Sequence, residues 1–129
     1  MPSVLIIDDD ELALTVLQNM LQDEGYEVLT TADGPQGISI YEDKRPDVVL
    51  LDVELPSMNG LEVLKRIRQV DAEARVIIIT GLDTHGIREA ALRNGALDFA
   101  VKPLHYIDFL ARLRSAVSPA YPPLTSPES

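Results

Sequence analysis

Three short runs of unbroken apolar residues punctuate the chain: Val4–Ile7, Val48–Leu51 and Val76–Ile79. Runs of this length, rich in β-branched side chains and without polar alternation, predict strands buried on both faces of a parallel sheet. Two more dilute segments, Val28–Thr31 and Phe99–Val101, predict strands nearer the sheet edges, and Glu27, Thr30 and Thr31 fit partial exposure of the first. Between the strands the apolar spacing changes to three and four. Ala13, Val16, Leu17, Met20 and Leu21 mark one face of a first helix, which Gly25 stops. Asp33-Gly34-Pro35 opens a second helix, with Pro35 at its first position. Leu61, Leu64 and Ile67 mark a third helix, and Ile87, Ala90 and Ala91 a fourth that ends at Asn94-Gly95. Phe109, Leu110, Leu113, Ala116 and Val117 mark a fifth. Five strand-helix units in alternation specify an α/β domain with a five-stranded parallel sheet, right-handed crossovers and helices on both faces. Placing the three most apolar strands centrally gives the sheet order 2-1-3-4-5.

The pattern ends near residue 118. Residues 1–118 are expected to form one folded domain, and residues 119–129, with four prolines from Pro119 to Pro127, a linker or flexible tail. The length of 129 residues is enough for a core without disulfide or metal staples. There is no cysteine, which excludes disulfides and thiolate metal sites and is compatible with a reducing, cytoplasmic setting. The N-terminus lacks a basic region, and no apolar run approaches the roughly 20 residues that cross a bilayer. A formal net charge of −10 repels nucleic acid, so direct DNA or RNA binding by this chain is not expected.

The chemistry collects at the carboxyl ends of the predicted strands. Strand one runs into Asp8-Asp9-Asp10, strand three into Asp52, strand four into Thr80 and strand five into Lys102. In a parallel sheet these ends share one edge, where ligands bind at the point of strand-order reversal. Each residue has a plainer reading: Asp10 as a helix cap, Asp8 and Asp9 as solvated loop acids, Thr80 as a turn hydroxyl, Lys102 as a surface lysine. Asp52 is harder to dismiss, because it follows four buried apolar residues and has no packing reason to be acidic. Crowded carboxylates raise each other's proton affinity unless a cation separates them, and hard oxygen ligands in this number suit Mg²⁺. Such a carboxylate can act as a nucleophile and form an aspartyl-phosphate. Lys102 would pair with one phosphoryl oxygen and the Thr80 hydroxyl with another. His85 and His105 lie on the flanks and are read as exposed residues.

The set Asp8-Asp9, Asp52, Thr80-Gly81 and Lys102-Pro103, with the phrases DVELPSMNGLEVLKRIR and GALDFAVKP, resembles the response-regulator receiver domain of two-component signalling over residues 3 to about 117. The resemblance implies a flavodoxin-like (βα)5 fold and phosphorylation of Asp52 by a sensor histidine kinase or histidine phosphotransfer protein. It implies Mg²⁺, with Mn²⁺ as a substitute, held by Asp9, Asp52 and the backbone carbonyl of Glu54, with Asp8 acting through water. It further implies a cis Lys102–Pro103 bond and Phe99 as an aromatic switch that moves with Thr80. The surface of the fourth helix, fifth strand and fifth helix is then the output face and a candidate homodimer interface. Arg112, Arg114 and Asp98 are candidates for inter-subunit salt bridges there, against the plainer reading of exposed helix charges. Glu54 and Leu82 flank the path of attacking water and would tune phosphate lifetime. An output domain beyond Ser129 is an open expectation. The domain is a phosphoacceptor and not an enzyme acting on other molecules.

Three rivals remain. A pseudo-receiver would keep the fold as an interaction module without phosphorylation. A flavin binder would need a Ser-, Thr- or Gly-rich loop after strand one, where this chain has Asp8-Asp9-Asp10-Glu11. An aspartate-nucleophile phosphatase would place its nucleophile after strand one and carry a cap for which there is no room.

Overall fold

A computed structural model describes residues 1–81 and 85–118. Five strands, β1 (Ser3–Ile7), β2 (Glu27–Thr31), β3 (Val48–Leu51), β4 (Val76–Thr80) and β5 (Asp98–Val101), alternate with five helices. The helices are α1 (Glu11–Asp23), α2 (Gly34–Lys44), α3 (Gly60–Val70), α4 (His85–Arg93) and α5 (Tyr106–Val117). All pairings are parallel and the order is β2-β1-β3-β4-β5, the flavodoxin-like order read from the distribution of apolar residues. The expected Pro-rich tail, residues 119–129, and Leu82 lie outside the described residues.

Strand geometry divides the apolar runs between two cores, because successive side chains face opposite sides of a sheet. Leu5, Ile7, Val49, Leu51, Val76 and Ile78 face α2, α3 and α4, where Tyr41, Val63, Leu64, Ile67 and Ala91 cover them. Val4, Ile6, Val48, Leu50, Ile77 and Ile79 face α1 and α5, under Leu17, Leu21, Phe109 and Leu113. Both faces are dry, which is why the central strands carry no polar alternation.

One helix differs from its predicted face. Val16 is 36% exposed, while Leu14 packs beside Leu17 and Leu21. At ~3.6 residues per turn, a stripe centred on Leu17 and Leu21 takes in Leu14 and leaves Val16 on its flank. Helix starts follow local capping chemistry. The Asp10 side chain accepts from the Leu12 and Ala13 amides and Asp33 from Gln36; α2 starts at Gly34, so Pro35 stands second and not first in the helix. The plainer reading of Asp10 as a cap is therefore the observed one.

Candidate functional site

The carboxyl ends of β1 and β3 deliver two acids into the interior. The Asp8 amide donates to the Thr31 carbonyl (3.0 Å) and the Asp52 amide to the Ile7 carbonyl (2.9 Å). These bonds continue the sheet ladder one residue past each strand. Asp8 is fully buried and Asp52 is 4% exposed, while the neighbouring Asp9 turns outward to solvent. One carboxylate oxygen from each of Asp8, Asp9 and Asp52 can be chosen so that all three lie within 4.8 Å of one another.

Lys102, from the end of β5, reaches across this cluster. Its Nζ donates to Asp8 Oδ2 (2.7 Å) and Asp52 Oδ2 (3.1 Å). The lysine therefore belongs to the site and not to the surface. The second Asp52 oxygen, Oδ1, accepts from the Glu54 amide (3.0 Å), and Asp8 Oδ1 accepts from the Asp10 amide (3.0 Å). Burial pushes the Asp8 carboxyl above its ordinary range, against the lowering pull of Lys102 and of the Asp10 amide. Burial alone would lower the Lys102 ammonium, but its bond to Asp8 and the charges of Asp8 and Asp52 outweigh burial and hold it above its usual value. One ammonium thus faces two buried carboxylates and a third exposed one, and the cluster keeps unneutralised negative charge. Three hard oxygen donors at such spacing suit a small divalent cation.

Thr80 closes β4 and is fully buried; its carbonyl accepts from the Lys102 amide (2.9 Å). The Lys102–Pro103 peptide is cis. Phe99 pairs in register with Ile78, two residues before Thr80, and is 4% exposed. An open cleft of about 550 Å³ runs beside it, lined by Arg88, Phe99, Lys102, Phe109 and Arg112. Arg112 binds within the chain, with Nε to Asp98 Oδ2 (2.8 Å) and Nη2 to the Phe99 carbonyl (3.0 Å). Arg114 lies 3.9 Å from Glu24 across to α1.

Two residues with a part in this geometry were not singled out from the sequence. Gly60, at the first position of α3, packs so closely on the phosphoacceptor candidate's backbone that a Cβ would sit 2.2 Å from the Asp52 carbonyl oxygen. The Asn59-Gly60 pair ahead of an apolar stripe is the signal that marks it, a cap followed by a residue tolerant of close approach. Arg88 lies with its guanidinium carbon 4.6 Å from the centroid of the Phe99 ring. Nothing in the local pattern marks Arg88, because the contact spans two elements.

Among known proteins, the chain is 35% identical over 117 residues to the chemotaxis protein CheY of Listeria monocytogenes, covering 90% of this chain and 98% of that one. It is 39% identical over 114 residues to the uncharacterized transcriptional regulatory protein YkoG of Bacillus subtilis, covering 88% of this chain and 50% of that protein. The chain thus spans about half the length of the curated transcriptional regulators it matches. A chain in the crystal structure of the CheX-CheY-BeF3-Mg+2 complex from Borrelia burgdorferi superposes with a TM-score of 0.86 at 33% identity, covering 91% of this chain and 90% of that one. Residues 4–114 match the family described as the response regulator receiver domain, and the chain belongs to that family.

Proposed function

We propose that this receiver domain is a phosphorylation-controlled switch in which Asp52 accepts a phosphoryl group from a phosphohistidine of a sensor kinase or phosphotransfer protein. The observation that carries the reading is the convergence of Asp8, Asp9 and Asp52 under the Lys102 ammonium. An Asp52 oxygen forms the new P–O bond as the P–N bond breaks, and the electron pair of that bond leaves with the histidine nitrogen. Lys102 then balances charge on the phosphoryl oxygens, and the Glu54 amide keeps the carboxylate oriented. Asp9, Asp52 and the Glu54 backbone carbonyl would hold Mg²⁺ or Mn²⁺, with Asp8 acting through water. When bound, the cation neutralises charge on the incoming phosphoryl group. The BeF3 and Mg of the Borrelia CheY complex support this reading by similarity.

Phosphorylation adds nearly two charges beside the buried Thr80. Thr80 turns its hydroxyl to the phosphoryl group, Phe99 shifts, and the surface of α4, β5 and α5 changes. A homodimer through that surface would draw on Arg112, Arg114 and Asp98, with Arg112 and Asp98 already paired within each copy. A receiver served by a sensor kinase works in the cytoplasm. Among the described residues, no helix is long and apolar enough to cross a membrane. The length of the regulator relatives supports an output domain beyond Ser129. Glu54, exposed two residues beyond Asp52, and Leu82 would set how long the phosphate lasts.

The test is incubation with acetyl phosphate and Mg²⁺ followed by intact-mass analysis. One phosphoryl addition is expected on the natural chain, none on Asp52→Asn and none in EDTA. Thr80→Ala is expected to keep the addition but to lose chemical-shift changes along α4 and β5. Undiminished labelling of Asp52→Asn would sink the assignment, and no Mg²⁺ binding by the natural chain would favour the pseudo-receiver.

A further inference from the structure

Phe99 is gripped from two helices at once. On the α5 side, Arg112 Nη2 donates to the Phe99 carbonyl (3.0 Å) and its Nε to the preceding Asp98 carboxylate (2.8 Å). On the α4 side, the Arg88 guanidinium stands over the ring, 4.6 Å from its centroid. The backbone of Phe99 is also fixed by the β4–β5 ladder opposite Ile78. With the main chain tied on these sides, the freedom left to the residue is rotation of its ring, and the Arg88 stack acts on that freedom. A guanidinium within about 6 Å of a ring centroid attracts the face of the ring, and more strongly where water is excluded. Phe99 is 4% exposed.

We infer that Arg88 is a positioning residue for the switch: its stack on Phe99 weights one ring position over the other and so sets how readily the phosphorylated state is reached. The inference rests on the phosphoacceptor reading of Asp52. Any rotation of the ring out of its present well removes the aromatic face from the guanidinium and forfeits the attraction. Because linkage is reciprocal, a bias on the ring is equally a bias on phosphoryl-group affinity at the other end of the coupled element. The bond from Arg112 to Phe99 instead holds a carbonyl, which stays in place when the side chain turns.

The experiment measures the dissociation constant of beryllofluoride in saturating Mg²⁺ by calorimetry, with the melting temperature of every variant recorded. Arg88→Ala is expected to shift that constant by ~2- to 30-fold, the range of a cation–π contact, while Arg88→Lys recovers part of the shift. In a Phe99→Leu background, which has no ring to stack on, Arg88→Ala is expected to change nothing further. A fall in the constant assigns the stacked ring to the unphosphorylated balance and a rise assigns it to the phosphorylated one; both establish the coupling. An unchanged constant in Arg88→Ala, or the same shift in the Phe99→Leu background, overturns the inference and leaves the Asp52 reading intact. Should Arg88→Ala melt early, Arg88→Gln supplies the same comparison. Failure of the natural chain to bind beryllofluoride overturns the Asp52 reading and this inference with it.

Discussion

At the carboxyl end of the sheet, Asp8 and Asp52 are buried beside one another and share a single ammonium from Lys102. At the amino end, polar groups are spent on holding the frame. The Ser3 amide donates to Asp47 Oδ2 (2.7 Å), joining the start of β1 to the start of β3. Arg75, just before β4, donates to the carbonyls of Ala116 (2.6 Å) and Ser118 (2.9 Å) and satisfies the last turn of α5. The Tyr41 hydroxyl donates to Asp71 Oδ2 (2.8 Å), which also lies 3.5 Å from Arg45, tying α2 to the end of α3. One end keeps a surplus of like charge in a dry place; the other leaves its charges half-exposed and matched with local partners. The same ionic chemistry thus either stores electrostatic tension or removes it, depending on burial and on the count of partners.

Four substitutions probe this contrast between the two ends. Lys102→Met leaves two buried carboxylates without a cation and should lower the unfolding free energy by roughly 3 kcal/mol at pH 7 in urea titration. The Asp8 carboxyl is already held high by burial, so it takes up a proton readily as pH falls, and the deficit should narrow toward acid pH. A loss no larger than that of the amino-end variants would end the contrast. Asp52→Asn should move stability the other way, raising it by about 1 kcal/mol, because it removes one of the crowded charges while abolishing the phosphoryl acceptance proposed for this residue. A destabilised Asp52→Asn protein would mean that Lys102 already compensates the cluster fully.

At the amino end, Tyr41→Phe removes one hydrogen bond from a frame contact and should cost about 1 kcal/mol by the same titration. The smallest effect belongs to Asp71→Asn. The Glu73 amide, and after it the Tyr41 hydroxyl, hold the Asp71 carboxyl below its usual value. A depressed carboxyl contributes stability above its unfolded pKa, roughly 3.9, and loses it as pH falls through the folded value. The substitution should therefore cost about 0.5 kcal/mol at neutral pH, with the difference gone once the folded carboxyl is protonated. A difference that persists in strong acid would assign the effect to shape and not to charge.

Much of the frame was legible because it rests on local rules. Unbroken apolar runs and stripes at three and four gave the alternation of strands and helices, and the relative greasiness of the strands gave their order. Parallel strands then bring their carboxyl ends to one edge, so Asp8, Asp9, Asp52, Thr80 and Lys102 could be grouped from topology alone. Errors arose where a face had to be centred. Val16 fits the spacing of α1 but lies on its flank, since only packing decides which neighbouring apolar residues form the middle of a stripe.

The architecture and the convergence of Asp8, Asp9, Asp52 and Lys102 on one sheet edge were already written in the order of residues, because hydrophobic periodicity and parallel topology leave few other arrangements. The unequal burial of Asp8 and Asp9 came only with tertiary structure. Adjacent acids look equivalent in a string, yet the one that continues the β1 ladder is buried and the one that turns away is exposed. Packing also decided that Lys102 reaches both buried acids, that Gly60 must lack a Cβ beside Asp52, and that Arg88 stacks on Phe99. Each of these depends on the distance between residues of different elements, which strand and helix periodicity does not encode.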